Sequence, residues 1–494
     1  MGLRTLAAIA LIAVPVACPL VIVAQTAPGM PPPPRTWVDK DTGHRVWRLS
    51  DQPNSGGFYF NVNAYTPDGK QMIYTAPDGI HVLDMATRKT KLLVPNPPRP
   101  ANGANNPMAR FMYGVHALVV GHKTNSVFFT KMDPATGVVG VYKANTDTGA
   151  IRKLIDLPPH RMIVSVNADE TLAAGTYIVG GPRGAAYGAA IPRPQQRPGQ
   201  LASSSDNRIA SARQGPHYQP FNKGQMMERR LAAHLPLVLF TIRLEPGPHG
   251  EKPGTIRILL HSTDWVNHLL FSPTDPDLLL YCHEGPWQKV NRIWTIHIDG
   301  THNTLIHKRT MAMEIAGHEF WGLDGETIWY DWQYPKGQVF YLASYNLKTG
   351  QRTAYHMNRN AWGIHFNLTR DLSLFCDDGG DPGQVARAKD GEWIELLHPQ
   401  MIPLDGALNA PGYWQPGIFV AEHLVNMSHH NYREEPNVRF SPDKSLVIFT
   451  SNMFGPSYVF GVEVAKAVNP PADEVQSTPE LASKWNPKIP TPTH

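Results

Sequence analysis

A short turn signature recurs along the chain, as Thr66-Pro-Asp-Gly69, Ser272-Pro-Thr-Asp275, Gly322-Leu-Asp-Gly325, Thr369-Arg-Asp371 and Ser441-Pro-Asp443. Each leads into a short apolar or alternating stretch, such as Gln71-Met-Ile-Tyr74, Leu278-Leu-Leu-Tyr281, Thr327-Ile-Trp-Tyr330 or Leu446-Val-Ile-Phe-Thr450. β-Branched and aromatic residues bounded by Pro, Asp and Gly read as strands between tight turns. A later hairpin in the same unit closes at Asn145-Thr-Asp-Thr-Gly149, Ile298-Asp-Gly300 or Leu347-Lys-Thr-Gly350. The repeat is about 40 residues, the period of propeller blades. An open row of such units would expose strand edges, and radial closure removes them. The chain is therefore expected to be all-β, a seven-bladed β-propeller with units at 58–95, 113–156, 161–247, 266–308, 316–357, 363–400 and 436–465. Residues 37–50, with Arg45-Val-Trp-Arg-Leu49 as a strand, are expected to pair with the last unit and close the ring.

The third unit carries an insertion at 180–224, rich in Gly, Pro, Ser and Gln, which reads as a long surface loop. The propeller domain is then 37–468, with a Pro-rich linker at 25–36 and a Pro-rich tail at 469–494. The first 24 residues combine a basic start, Met1-Gly-Leu-Arg4, with an apolar run interrupted by Pro15 and Pro19 and ending at Ala24. That pattern resembles a cleaved secretory leader, so a periplasmic or secreted protein with no stable membrane association after cleavage is expected. Beyond the leader only Cys282 and Cys376 remain, too few for a disulfide-built scaffold, and two separate buried thiols are the default. With 42% hydrophobic and 17% charged residues the 494-residue chain can bury a large core without them. A formal charge of +4 without any Lys/Arg run of five excludes a nucleic-acid footprint and tolerates an anionic ligand. Oligomeric state is not legible.

One tract concentrates reactive side chains: Cys282-His-Glu-Gly-Pro-Trp287, then Arg292-Ile-Trp294, then Gly317-His-Glu-Phe-Trp321. His, Glu, Arg and large aromatics at the ends of short strands are what a site needs to hold and deprotonate an acidic sugar. A phosphate-binding Gly-rich loop, a Gly-x-Ser-x-Gly elbow and a His-Glu-x-x-His helix are all missing from the sequence.

With His365 six residues before Asp371, these motifs in this order resemble the oligogalacturonate lyase family, seven-bladed propellers that cleave acidic pectin fragments by β-elimination. The likeness covers 265–455; the N-terminal half shares only Tyr59-Phe60 and Thr66-Pro-Asp-Gly69. The resemblance implies a lyase for uronate oligosaccharides, with His318 as the base that removes the C5 proton and Arg292 as the partner of the uronate carboxylate. A neutral histidine suits such a base, because its ordinary pKa lies near neutrality, and the planar guanidinium fork matches a carboxylate. His268, His283, Glu284, Trp287 and Trp321 are candidates to bind the sugar. His365 matches a metal ligand of the family, and aligning the family's Gln-x-x-His-x-His motif through Phe440 puts Tyr432, Glu435 and Asn437 at the other ligand positions. This oxygen-rich departure suits Mn²⁺ and admits Ca²⁺, with His429 and His430 just upstream as substitutes. Two alternatives stand beside this reading: a lyase for another uronate, such as glucuronate in a rhamnose-containing glycan, and a non-catalytic propeller that binds glycans or protein.

Overall fold

The protein is described by a computed structural model covering residues 31–97, 114–180, 223–380, 392–403 and 412–486. The leader expected at 1–24 and nearly all of the insertion expected at 180–224 lie outside the described residues. The fold is a β-propeller.

The recurrent turns act through their side chains. Asp68 Oδ1 accepts from the Lys70 N–H and the Thr66 hydroxyl, and Asp324 Oδ1 accepts from the Glu326 and Thr327 N–H groups. Asp371 and Asp443 repeat this with the Ser373 and Ser445 N–H groups. The residue after the aspartate takes a left-handed conformation, with φ of 70° at Gly69 and Gly325, 57° at Leu372 and 63° at Lys444. An Asx turn followed by one left-handed residue reverses the chain between two strands, which is why the same signature recurs.

The strands form six hydrogen-bonded sheets among the described residues. Consecutive strands pair antiparallel within each, as in Leu278–Glu284 with Ile293–His297. The expected seven units meet one double sheet: four strands from Ile315–Trp321 to Arg352–His356 join four from Phe366–Leu368 to Trp414–Asn426. The joint is parallel, Arg352 opposite Trp414. Two expected units are longer than read. The third continues through strand Ile256–Ser262 and the sixth through Trp414–Asn426, because each needs a fourth strand to cover its outer edge.

Strand His44–Arg48 pairs antiparallel with Tyr458–Lys466, Val46 opposite Val462, so an N-terminal strand completes the last sheet. Thr36–Asp39 adds outside it, and Val475–Gln476 pairs parallel to that. Part of the expected tail is thus folded onto the ring. Trp37 is fully buried edge-on to Phe454 and Phe460, and its Nε1–H donates to Thr478 Oγ1 at 2.8 Å.

First strands of neighbouring sheets lie against one another, which gathers them around the axis. Residues 58–62 run along this inner rim. Arg439, buried on the last sheet, donates to the carbonyls of Val62 (2.9 Å), Tyr59 (3.0 Å) and Phe58. Asn437 Oδ1 accepts from the Phe60 N–H at 3.1 Å, and Asn61 Nδ2 donates to the Glu319 carbonyl at 3.0 Å. A segment with no strand pairing of its own therefore has its backbone groups satisfied by distant sheets.

Candidate active site

The site begins with a backbone irregularity. In strand Trp265–Phe271 the register jumps between Asn267 and Leu270, and in Ile315–Trp321 between Gly317 and Phe320. His268 and His318 sit on these bulges with φ of 48° and 47°. Histidine is among the few non-glycine residues that tolerate this region, and bulges re-aim side chains beside functional sites. Gly317 is obligatory here: a Cβ would stand 2.7 Å from the Trp287 ring and 3.0 Å from Arg292 Nε.

His318 is 8% exposed, with Trp287 and His365 edge-on at 4.8 Å between ring centroids and Phe60 at 6.2 Å. Its Nδ1 has no hydrogen bond; Asp331 Oδ2 is nearest among the acids at 3.4 Å. Burial first, then the charge of His365, holds the imidazole well below its ordinary pKa. His365 is the opposite case. Burial would lower it, but Asp378 Oδ2 at 2.8 Å from Nδ1 outweighs burial and raises it. Two neighbouring imidazoles are thereby set apart, the neutral one being His318.

Arg292 is 2% exposed and lies 4.3 Å over the Trp287 ring. Nη1 donates to Glu284 Oε1 at 2.8 Å and Nη2 to Oε2 at 3.4 Å, leaving Nε–H without a partner. Burial opposes the guanidinium's charge, yet Cys282, Glu284 and Glu319 together hold its pKa above the ordinary value. Burial likewise opposes ionisation of Glu284, but Arg292 and then His268 bring its pKa down to about 2. His268 Nε2 is 3.4 Å from Glu284 Oε2, and its Nδ1 is 3.7 Å from Glu319 Oε1.

Helix Lys223–Ala233 docks beside these groups. Glu228 pairs with Lys289 at 2.9 Å, Arg230 lies 3.6 Å over the Trp265 ring and Met227 is buried. Its first residue, Lys223, is exposed, and its charge acts on both His318 and Glu284.

Of the residues singled out by sequence, the structure brings His318, Arg292, Glu284, His268, Trp287 and His365 into one cluster. His283 and Trp321 are not in it. Strand alternation turns His283 to the other face, where its ring lies 5.1 Å from Trp294 and its Nδ1 3.6 Å from Asp264. Trp321 packs between sheets and donates its Nε1–H to the Leu270 carbonyl.

The polar atoms of several expected metal ligands are already engaged within the protein. The Tyr432 hydroxyl donates to the Asp378 carbonyl at 3.1 Å; Asn437 spends Oδ1 on Phe60 and Nδ2 on the Glu435 carbonyl. His430 has both ring nitrogens engaged, by Ser451 and the Glu434 carbonyl. Only His365 Nε2 and Glu435 Oε2 face each other, at 3.7 Å, and the Tyr59 hydroxyl already lies 3.2 Å from that nitrogen. Among the described residues no three His, Cys, Asp or Glu side chains converge on one point. A shell for Mn²⁺ or Ca²⁺ needs several convergent donors, so the residues expected to bind metal do not fit it.

Four contributors escaped the sequence reading. Asp331 and Asp378 had a usable signal, since each is an acidic residue in or beside a strand of buried apolar neighbours. Glu319 stood inside a motif already noted, but only the structure shows it fully buried with neither oxygen hydrogen-bonded. Tyr59 stood in the Tyr59-Phe60 pair already noted, but only the structure brings it to His365, across 306 positions of sequence.

Residues 249–468 match the protein-family model described as oligogalacturonate lyase. The oligogalacturonide lyase of Pectobacterium atrosepticum is 25% identical over 227 residues, 44% of this chain and 54% of that protein. The oligogalacturonate lyase of Dickeya dadantii is 24% identical over 228 residues, again 44% and 54%. The chain thus spans about half the length of the curated relatives it matches. A solved oligogalacturonate lyase in complex with manganese superposes with a TM-score of 0.61 at 18% identity, over 87% of this chain and 96% of that one. The Vibrio parahaemolyticus oligogalacturonate lyase gives 0.58 at 18% identity, with the same coverage. The family resemblance therefore holds over residues 249–468, and the propeller likeness extends beyond them.

Proposed function

We propose that this protein is a lyase that cleaves uronate-containing oligosaccharides, with oligogalacturonides from pectin breakdown as the first candidate, by β-elimination. The observation that carries the reading is a buried, neutral imidazole, His318, presented by a bulge with φ of 47° beside the charged groups Arg292, His365 and Asp331. Elimination removes the C5 proton α to the uronate carboxylate and expels the oxygen at C4. Neutral His318 is suited to take that proton. The carboxylate charge must be offset before the α proton is acidic enough. Among the described residues, exposed Lys223 is a cation whose charge acts on the site, while Arg292, with its two Nη groups committed to Glu284, contributes a fixed positive charge and one free Nε–H. No step is assigned to a metal ion, since the donors do not converge. The leader-like residues 1–24 support export as the setting.

Asp331 gives the reading a pH signature. Burial pushes its carboxyl up to about 8. Below that pH the protonated acid faces His318 Nδ1 and keeps the imidazole proton on Nε2; above it, the carboxylate accepts Nδ1–H and frees Nε2 to act as base. The expected result is a rate that rises with pH through about 8. Asp331→Asn, whose amide has no proton to lose, should lack this limb in a kcat/KM profile. A wild-type rate flat across that range would sink the assignment.

One observation favours a second reading of the substrate. Two of the three positions aligned with the family's Gln-x-x-His-x-His motif, Tyr432 and Asn437, are here spent on internal hydrogen bonds, so a different uronate, glucuronate in a rhamnose-containing glycan among them, remains the main rival. Purified protein incubated with oligogalacturonides and with glucuronate oligomers, with and without chelator, decides between them through the ultraviolet absorbance of the unsaturated product. No product from any uronate would leave a binding propeller as the better reading.

A further inference from the structure

We propose that His268 is the proton donor to the departing C4 oxygen, an assignment that rests on the lyase reading above and adds a second catalytic residue to it. Shorter register jumps occur in strands Val115–Val120 and Met162–Val166, where the single residues skipped are Leu118 and Val164, neither of them left-handed. Only in the two adjacent sheets beginning at Trp265 and Ile315, among the described residues, does such a bulge carry an imidazole in the left-handed region.

Both ring nitrogens of His268 face carboxylates, Nε2 toward Glu284 at 3.4 Å and Nδ1 toward Glu319 at 3.7 Å. A neutral imidazole always has one nitrogen lone pair, which would here point at a carboxylate oxygen; the imidazolium presents N–H to both. The groups facing it are Glu284 from strand Leu278–Glu284, Glu319 from Ile315–Trp321, and Tyr59, whose ring lies edge-on at 5.9 Å. With 22% of its side chain exposed, His268 remains within reach of a ligand. Tyr59 is the less suitable donor, because its hydroxyl is turned to His365 Nε2.

In the step, His318 takes the C5 proton and the C5–H electron pair becomes the C4=C5 double bond. The C4–O bond breaks with its pair on oxygen, and a His268 N–H delivers a proton there. One imidazolium is consumed and one formed, and exchange with water resets both.

The test uses the full-length protein and two substrates, a native uronate oligomer and a uronide carrying a nitrophenoxide at C4, which leaves without protonation. His268→Gln should lower kcat on the oligomer by about 10²–10⁴-fold and leave the nitrophenyl substrate close to the wild-type rate. Glu319→Gln should show the same split in weaker form, while His318→Ala loses both substrates. Equal loss on both substrates in a folded His268→Gln protein, or an unchanged oligomer rate, overturns the assignment and leaves the lyase reading intact. A wild-type protein inert on every uronate overturns the lyase reading and this proposal with it.

Discussion

His318→Ala is expected to lower kcat/KM on the cleaved uronate by about 10²–10⁴-fold, the usual worth of a positioned general base. The fold should survive, because the side chain makes no hydrogen bond within the described structure. The loss is expected in kcat more than in KM, since removing the base leaves Lys223, Arg292 and Trp287 in place. The pH sense follows from the direction of its shift. Burial and His365 hold the imidazole well below its ordinary pKa, so the ring stays neutral in mildly acidic buffer, and the fall in rate below about 8 comes from the Asp331 proton that holds the ring proton on Nε2, not from imidazolium formation. Initial rates of unsaturated product, measured for wild type and variant across pH, check both statements. A variant with wild-type kcat would remove His318 from the chemistry.

Glu284→Leu is expected to cost about 3–5 kcal/mol of stability and to abolish activity, because it strands the Arg292 guanidinium in the interior. Arg292 is 2% exposed and Glu284 7%, and the pair is bidentate. The same carboxylate predicts an acid sensitivity. Its folded pKa of about 2 lies below the ordinary 4.5, so the folded state binds the proton less readily than the unfolded one. The stabilisation is fully present above the ordinary value and is lost as pH falls from there through about 2. It is worth about 3 kcal/mol, discounting nothing for solvent at so buried a group. Denaturant unfolding at neutral pH and near pH 3 should show the wild type losing stability while Glu284→Leu loses less. The double variant Glu284→Leu with Arg292→Met should recover much of the loss, since an apolar pair of similar volume removes the stranded charge. No recovery would mean the pair acts through packing instead of charge.

The family resemblance and the reactive cluster differ in how far they could be read in advance. Cys282-His-Glu-Gly-Pro286, His318-Glu-Phe-Trp321 and His365 are contiguous or closely spaced motifs, so their presence was legible. Which face each side chain takes was less so. One residue separates Glu284 from His283, and the strand's two-residue period sends one to Arg292 and the other to Trp294. The metal ligands expected from aligned positions include Tyr432 and Asn437, and alignment does not reveal that hydrogen bonds to Asp378, Phe60 and Glu435 engage their polar atoms.

By itself the sequence determined the all-β propeller class and the placement of its turns. Asx chemistry at Asp68, Asp324, Asp371 and Asp443 acts over three or four residues, and an alternating apolar pattern acts over six or seven. It also determined that His318, Arg292 and Glu284 belong to one reactive tract. Tertiary structure alone decided the charge state of the site: it brought Tyr59 to His365, set Asp331 behind His318, and closed Glu284 and Glu319 around His268. Burial and the distance to an opposite charge govern protonation, and neither quantity exists until strands far apart in the chain meet at one axis.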